Sequence, residues 1–404
     1  MRYIFVLLLL AFTPSLQARN IPESYLNDLE NINIYVQTVD EGNLVYDNFG
    51  HTLVRVENIK TRKNFVFNWG VFSFGDPVGF ALNFYKGLLN YTLGISDYSY
   101  MLRVFHYERR AVYEDKIALD SEQKKIFLEK LIWNQKKENR NYLYKYFDDN
   151  CSTRPRDYLD LALGGEFKKQ FDSVESKQTY RQIIRKAYAS IPPMSMILDT
   201  ILNSEIDKNM SVWQKAFLPA AFRKLLLNAN IKGEKLVSSS HKLVDFKEKI
   251  KYSSTGYEIF LVIFGLIILL EILYMNFPKI AFIRRLVSGA LITVYGIWAG
   301  ILGGLFPITW MVSDHEILKH NVLMLLYFPV DIYFVFLGLG LIFKNKIACK
   351  GFFRKFMTSH ALAYGLLIIL FYTGLTSQDI SRSLYFVCPG MLLTLFLLSV
   401  NDKK

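Results

Sequence analysis

The C-terminal third of the chain runs through five apolar spans, near residues 257–277, 286–306, 322–343, 357–375 and 384–400. Most reach the roughly 20 residues a helix needs to cross a hydrocarbon core of about 30 Å, and the last two are marginal in length. The pattern predicts an all-α transmembrane domain over residues 257–404 and leaves a soluble portion before it. The composition fits that division: of 404 residues, 51% are hydrophobic and 15% aromatic, with a mean hydropathy of +0.17.

The loops between spans alternate in charge. "PKIAFIRR" and "KNKIACKGFFRK" are basic, whereas "PITWMVSDHEILKHN" and "TSQDISRS" are nearly balanced. Positively charged loops stay in the cytoplasm, so the first span enters from outside and the "NDKK" tail is cytoplasmic. The opening "MRYIFVLLLLAFTPSLQA" carries Arg2, an apolar stretch from Ile4 to Phe12 and small or polar residues up to Ala18. It reads as a signal peptide over residues 1–18, with an uncleaved anchor as the alternative. Both observations place residues 19–256 outside the cytoplasm. The net charge of +12 is largely accounted for by basic residues beside the spans, and without a basic arm or a nucleic-acid motif it gives no reason to expect a nucleic-acid partner.

Residues 19–228 read as an exported α+β domain. "HTLVRVEN" and "KNFVFNWG" alternate apolar and polar residues around a short polar "IKTR", which predicts two antiparallel strands. "SEQKKIFLEKLIWNQKKEN" has helical spacing, with Ser121 as the expected N-cap, and a further helix runs from about Cys151 to Leu163 before Gly164 and Gly165. Residues 175–228 suggest more helices, and residues 229–256 a polar connector to the membrane.

Of the three cysteines, Cys151, Cys349 and Cys388, only Cys151 lies in the exported part, so no internal disulfide forms there. Pro155 is tolerated only in the first turn of a helix, which puts the helix start near Asn150 or Cys151. The sulfur then sits at the positive end of the helix dipole, close to Arg154 and Arg156, and each of these favours thiolate. Backbone N–H groups at that end could hold a developing oxyanion. A thiolate nucleophile needs a proton acceptor, and the exported histidines are His51, His106 and His241. His241 falls in the polar connector and His106 in an aromatic-rich surface stretch. His51 follows Gly50 at the start of a strand, a Cys-His arrangement found in papain-like folds, and Asn68 on the second strand is the candidate to orient its ring. The alternative is that Cys151 is simply a small buried side chain.

The segments "NFGHTLVRV", "VFNWGVFSFGDP", "FYKGLLNYTL", "YLYKYFDDNCSTRPRDYLD" and "SEIDKNMSVWQKAFLP" resemble those of the Lnb-type bacterial lipoprotein N-acyltransferases. The resemblance covers nearly the whole chain. It implies a periplasmic papain-like domain, of the permuted NlpC/P60-like kind, ahead of a multi-span domain in the bacterial inner membrane. The same His-then-Cys order is similar to that of the lecithin:retinol acyltransferase group. Carried over residue by residue, the family's cysteine falls on Cys151 and its histidine on His51, with Asn68 as the third polar residue. The implied reaction moves an acyl chain from a phospholipid through a Cys151 thioester to the α-amine of a diacylated lipoprotein, without metal or cofactor.

Arg154, Trp69, Phe74, His315 and His320 are candidate substrate contacts, although polar residues capping a helix is the plainer reading of the two histidines. The aromatic stretch with Phe72, Phe74, Phe80, Phe84 and Tyr85 could line an acyl groove or simply form core. Glu271 and Asp331 are acids inside spans with no assigned role, and Asp157 is paired with Arg154 as a structural clamp. Two other functions fit the residues: a membrane-anchored cysteine hydrolase, either phospholipase or amidase, and a non-enzymatic assembly factor.

Overall fold

A computed structural model describes residues 20–42, 47–72, 77–189, 191–246, 281–343 and 350–385, together with the helical positions 259, 262, 265 and 266. The chain divides into two compact units. The first comprises Met1–Phe84, Leu88–Lys177 and Asn209–Lys251, and the second Tyr85–Gly87, Gln178–Lys208 and Tyr252–Lys404.

The first unit is sheet-rich. Strands β1 (Ile32–Val39), β2 (His51–Asn58), β3 (Lys63–Val71), β4 (Asn90–Asp97), β5 (Val112–Ile117), β6 (Asn141–Leu143) and β7 (Val237–Val244) form one antiparallel sheet in the order β7-β5-β1-β2-β3-β4-β6. The helices α1 (Pro77–Lys86), α2 (Tyr98–Tyr107), α3 (Ser121–Gln135) and α4 (Thr153–Ala162) fall between strands in sequence.

Alternation along β2 and β3 decides which face each residue serves. Val54, Val56, Phe65, Phe67 and Trp69 enter the main core with Phe127, Leu128 and Leu131 of α3 and Tyr158 and Leu159 of α4. Leu53 and Val66 point the other way, toward Met101 and Phe105 of α2. Each fully buried large apolar side chain contributes about 1.5–3 kcal/mol, so this double-sided burial holds β2 and β3 in register.

Two local expectations change. The N-cap of α3 is Asp120, not Ser121: the Asp120 carboxylate accepts the Gln123 N–H at 2.9 Å, while the Asp120 N–H donates to Gln123 Oε1 at 3.0 Å. The stretch read as a connector supplies β7, whose serine-rich sequence suits a half-wet edge strand. Its Ser240 hydroxyl donates to Asp115, which is also paired with Arg223 at 2.8 Å.

In the second unit, α5 (Tyr180–Ala187) and α6 (Pro192–Ile201) are tied to the loop around Asp379 by ion pairs. Arg181 is 1% exposed and forks onto Asp207 at 2.6 and 2.9 Å, and Arg185 bridges Asp199 and Asp379. A guanidinium buried this deeply is tolerated because carboxylates and carbonyls satisfy its donors.

Among the described residues, α7 (Ala281–Val312) and α8 (Lys350–Thr373) contain stretches long and apolar enough to cross a membrane. A third crossing is possible if Glu316–Leu325 and Pro329–Phe343 count as one span bent by 63°. The sequence predicted a single span over residues 322–343. It breaks because Pro329 lacks an N–H and Asp331 starts a new helical segment by accepting the Phe328 N–H at 2.8 Å. Asp331 is wholly buried, and its other oxygen lies 2.8 Å from His360 Nε2. The expected spans 257–277 and 384–400, with Glu271, lie almost entirely outside the described residues.

Candidate active site

His51 is the first residue of β2, and the turn before it requires glycine. Gly50 has φ +79°, and a Cβ there would fall 2.6 Å from the Val39 carbonyl oxygen. The register pairs Val54 with Phe67, which brings His51, Leu53, Val66 and Asn68 to one side of the sheet. His51 reaches diagonally across, and its Nε2 lies 2.7 Å from Asn68 Oδ1. Gly70 makes room for this: a Cβ at that position would come 3.1 Å from His51 Cε1.

Cys151 approaches from the loop before α4. Asn150 builds that loop with both ends of its side chain. Its Oδ1 accepts the N–H groups of Ser152 (2.8 Å) and Thr153 (3.0 Å), and its Nδ2 donates to the carbonyls of Tyr146 and Phe217, each at 3.0 Å. The Asn150 carbonyl takes the first helical bond, from Arg154 N–H at 3.2 Å, so the chain is already turning into the helix at Cys151. Ser152 is fully buried, and its hydroxyl meets Thr52 Oγ1 at 2.8 Å, fastening the cysteine loop to β2 one residue past His51.

The buried thiol and the imidazole lie close enough that each shifts the titration of the other. With Nε2 taken by Asn68, Nδ1 is the ring nitrogen left for the sulfur. Burial pushes the Cys151 thiol up, but the His51 charge and hydrogen bond, the Thr52 N–H and the Ser152 hydroxyl outweigh it, and the thiol titrates below its ordinary value. Burial likewise pulls His51 down. The Cys151 charge and the hydrogen bonds to Cys151 and Asn68 overcome this, against opposition from the Arg110 charge, and the imidazole titrates above its ordinary value. The two groups together favour a thiolate-imidazolium pair, the reactive form of a cysteine nucleophile.

The N–H groups of Ser152 and Thr153, two of those expected to face an oxyanion, are both bound to Asn150 Oδ1. The Cys151 N–H has no hydrogen-bond partner among the described residues and remains as a donor beside the sulfur.

The other candidates are placed differently. Arg154 is held by both oxygens of Asp149, at 2.5 and 2.8 Å, and lies 3.7 Å over the Tyr142 ring. The expected Asp157–Arg154 clamp is replaced by this pair, and Asp157 bonds Arg156 at 2.8 Å, because residues one turn apart on α4 have nearer partners. Trp69 is 0% exposed, with its indole N–H donated to Asn134 at 2.7 Å, so it is a core residue. Phe74 lies outside the described residues, as do the side chains of Phe80 and Phe84. His315 and His320 belong to the second unit, where the His320 ring tilts over Trp310. The Tyr85 hydroxyl donates to the Leu305 carbonyl in that same unit at 2.8 Å. Among the described residues no group of three or more His, Cys, Asp or Glu could hold a metal ion.

Sequence reasoning missed Asn150, Thr52, Ser152 and Gly70. The run Asn150-Cys151-Ser152-Thr153 carried a signal for the first, since asparagine two residues before a free N–H is an Asx-turn former.

Residues 24–186 match the family model described as the Lnb N-terminal periplasmic domain. The match spans β1 to β6 and α1 to α4, and includes His51, Asn68 and Cys151. It supports an Lnb-type family for this domain. No match was found among curated proteins or among solved structures. With the apolar helices of the second unit, the match points to a membrane protein with a periplasmic N-terminal domain.

Proposed function

We propose that the chain is a thiol-dependent lipoprotein N-acyltransferase of the bacterial inner membrane, with its C-terminus in the cytoplasm and a papain-like catalytic domain in the periplasm. The observation that carries this reading is the buried Cys151 set beside His51, which lowers its titration and whose Nε2 meets Asn68 Oδ1 at 2.7 Å. The Lnb-type match and the apolar helices supply the lipid context.

In the first half-reaction His51 takes the thiol proton and the sulfur attacks the carbonyl carbon of a phospholipid ester. The Cys151 N–H donates to the oxyanion. As the carbon–oxygen bond breaks, His51 returns the proton to the glyceryl oxygen, giving a lysophospholipid and an acyl thioester on Cys151. In the second half-reaction the α-amine of an S-diacylglyceryl cysteine attacks the thioester, and His51 takes a proton from the amine. The carbon–sulfur bond breaks, an amide forms and Cys151 recovers its proton. Asn68 acts through His51 by fixing its tautomer.

Membranes containing the full chain, supplied with a diacylated lipoprotein, test this. Triacylated lipoprotein together with lysophospholipid is the expected outcome. Free fatty acid without triacylated product would assign the pair to a hydrolase instead, and no turnover at all would leave only a binding role.

A further inference from the structure

Beside the catalytic pair runs a strip of aromatic rings. Phe72 lies 4.9 Å from Tyr91, Tyr91 stacks on Tyr144 at 4.4 Å, Tyr144 meets Tyr146 at 6.2 Å, and Tyr146 meets Phe49 at 5.5 Å. The strip has contributors from both catalytic segments: Phe49 precedes His51 by two residues and Tyr146 precedes Cys151 by five. Tyr91 and Tyr144 pack against the core cluster that contains Cys151. The negative charge of Cys151 is also felt at the Tyr91 phenol, which burial above all pushes up to about 12.

These rings differ from the true core. Phe67 and Phe127 are wholly buried, whereas all five members of the strip are only partly covered. Partly covered aromatic rings offer a broad apolar face, which suits a long flexible hydrocarbon. The strip brings no cation of its own, and the guanidinium of Arg154 is committed to Asp149.

We infer that this strip seats the hydrocarbon chain of the acyl group carried on Cys151, and so sets which chain lengths are accepted. The inference rests on the acyl-transfer reading, but its test does not require transfer. Cys151 in the full-length chain is alkylated with a series of N-alkyl iodoacetamides from methyl to hexadecyl, and the rates are compared at equal free probe concentration. Labelling is expected to accelerate with chain length, on the order of tenfold or more from methyl to octyl, because each buried methylene adds favourable transfer free energy. In Tyr91→Ala the long-to-short rate ratio is expected to collapse toward one. Tyr144→Ala, which removes the ring stacked on Tyr91, provides the same readout if Tyr91→Ala fails to fold. Length dependence without transferase activity would keep the strip and remove the proposed reaction. A rate indifferent to chain length, or a ratio that survives both substitutions, would overturn the inference.

Discussion

Asn68 and His51 meet across adjacent strands, with Asn68 Oδ1 2.7 Å from His51 Nε2. A carboxamide oxygen accepts only a proton-bearing nitrogen, so this contact holds the ring with Nε2–H toward Asn68 and Nδ1 free to take the Cys151 proton. Two strands of one hairpin thereby fix both the orientation and the tautomer of the base.

Replacing Asn68 by alanine should lower acyl transfer by at least about tenfold with a smaller change in KM, since the base remains but its ring is no longer held. Asn68→Gln, which keeps the carboxamide, should recover part of the loss. An unchanged kcat in Asn68→Ala would remove Asn68 from the mechanism.

The titration shifts fix the sign of the pH response. Cys151 titrates below its ordinary value, so its thiolate persists as the pH falls below the free-thiol range of about 8.5 and is lost only at the lowered value. His51 titrates above its ordinary value, so the imidazolium persists above about 6.5. Alkylation by a small reagent should therefore proceed through neutral pH, and its midpoint should move upward in His51→Ala. A Cys151 that reacts only as fast as an ordinary thiol at every pH would refute activation.

Gly70→Ala tests the space beside the histidine. The added Cβ would stand 3.1 Å from His51 Cε1, at φ +147°, where side chains are strained. The variant should retain its fold at a cost of about 1–3 kcal/mol and lose on the order of tenfold or more in transfer. Wild-type activity would show that the ring has room to move.

Asn150→Asp separates capping from electrostatics. A carboxylate still accepts the Ser152 and Thr153 N–H groups, but it cannot donate to Tyr146 and Phe217, and it places negative charge beside the sulfur. The Cys151 thiol should titrate higher than in the wild type, as read from alkylation against pH. Asn150→Ala should cost about 1–2 kcal/mol in thermal unfolding through loss of the cap.

The parts of the fold with a strong period were legible in advance. Alternation in "HTLVRVEN" and "KNFVFNWG" marked β2 and β3 because successive strand side chains point to opposite faces, and Pro155 limited where α4 could start. β7 escaped notice because its central Ser-Ser-Ser-His-Lys run has no apolar period and the strand is specified by backbone pairing to β5. The broken helix near Pro329 was hidden for a related reason. Hydropathy registers an apolar run, whereas the break depends on Asp331 finding both the Phe328 N–H and His360. At the site, residue type singled out His51 and Cys151. The loop that carries the sulfur depends on Asn150, whose bond to Phe217 crosses 67 residues and is invisible to local pattern.

The most direct test of the account is to trap the intermediate. The full-length chain is incubated with phospholipid in the absence of an acceptor amine, quenched in acid and digested, and the peptide containing Cys151 is weighed by mass spectrometry. The account predicts one acyl chain on Cys151, removable by neutral hydroxylamine and missing in His51→Ala. An unmodified Cys151 under conditions where lipoprotein is still N-acylated, or an acyl group trapped on another residue, would contradict it.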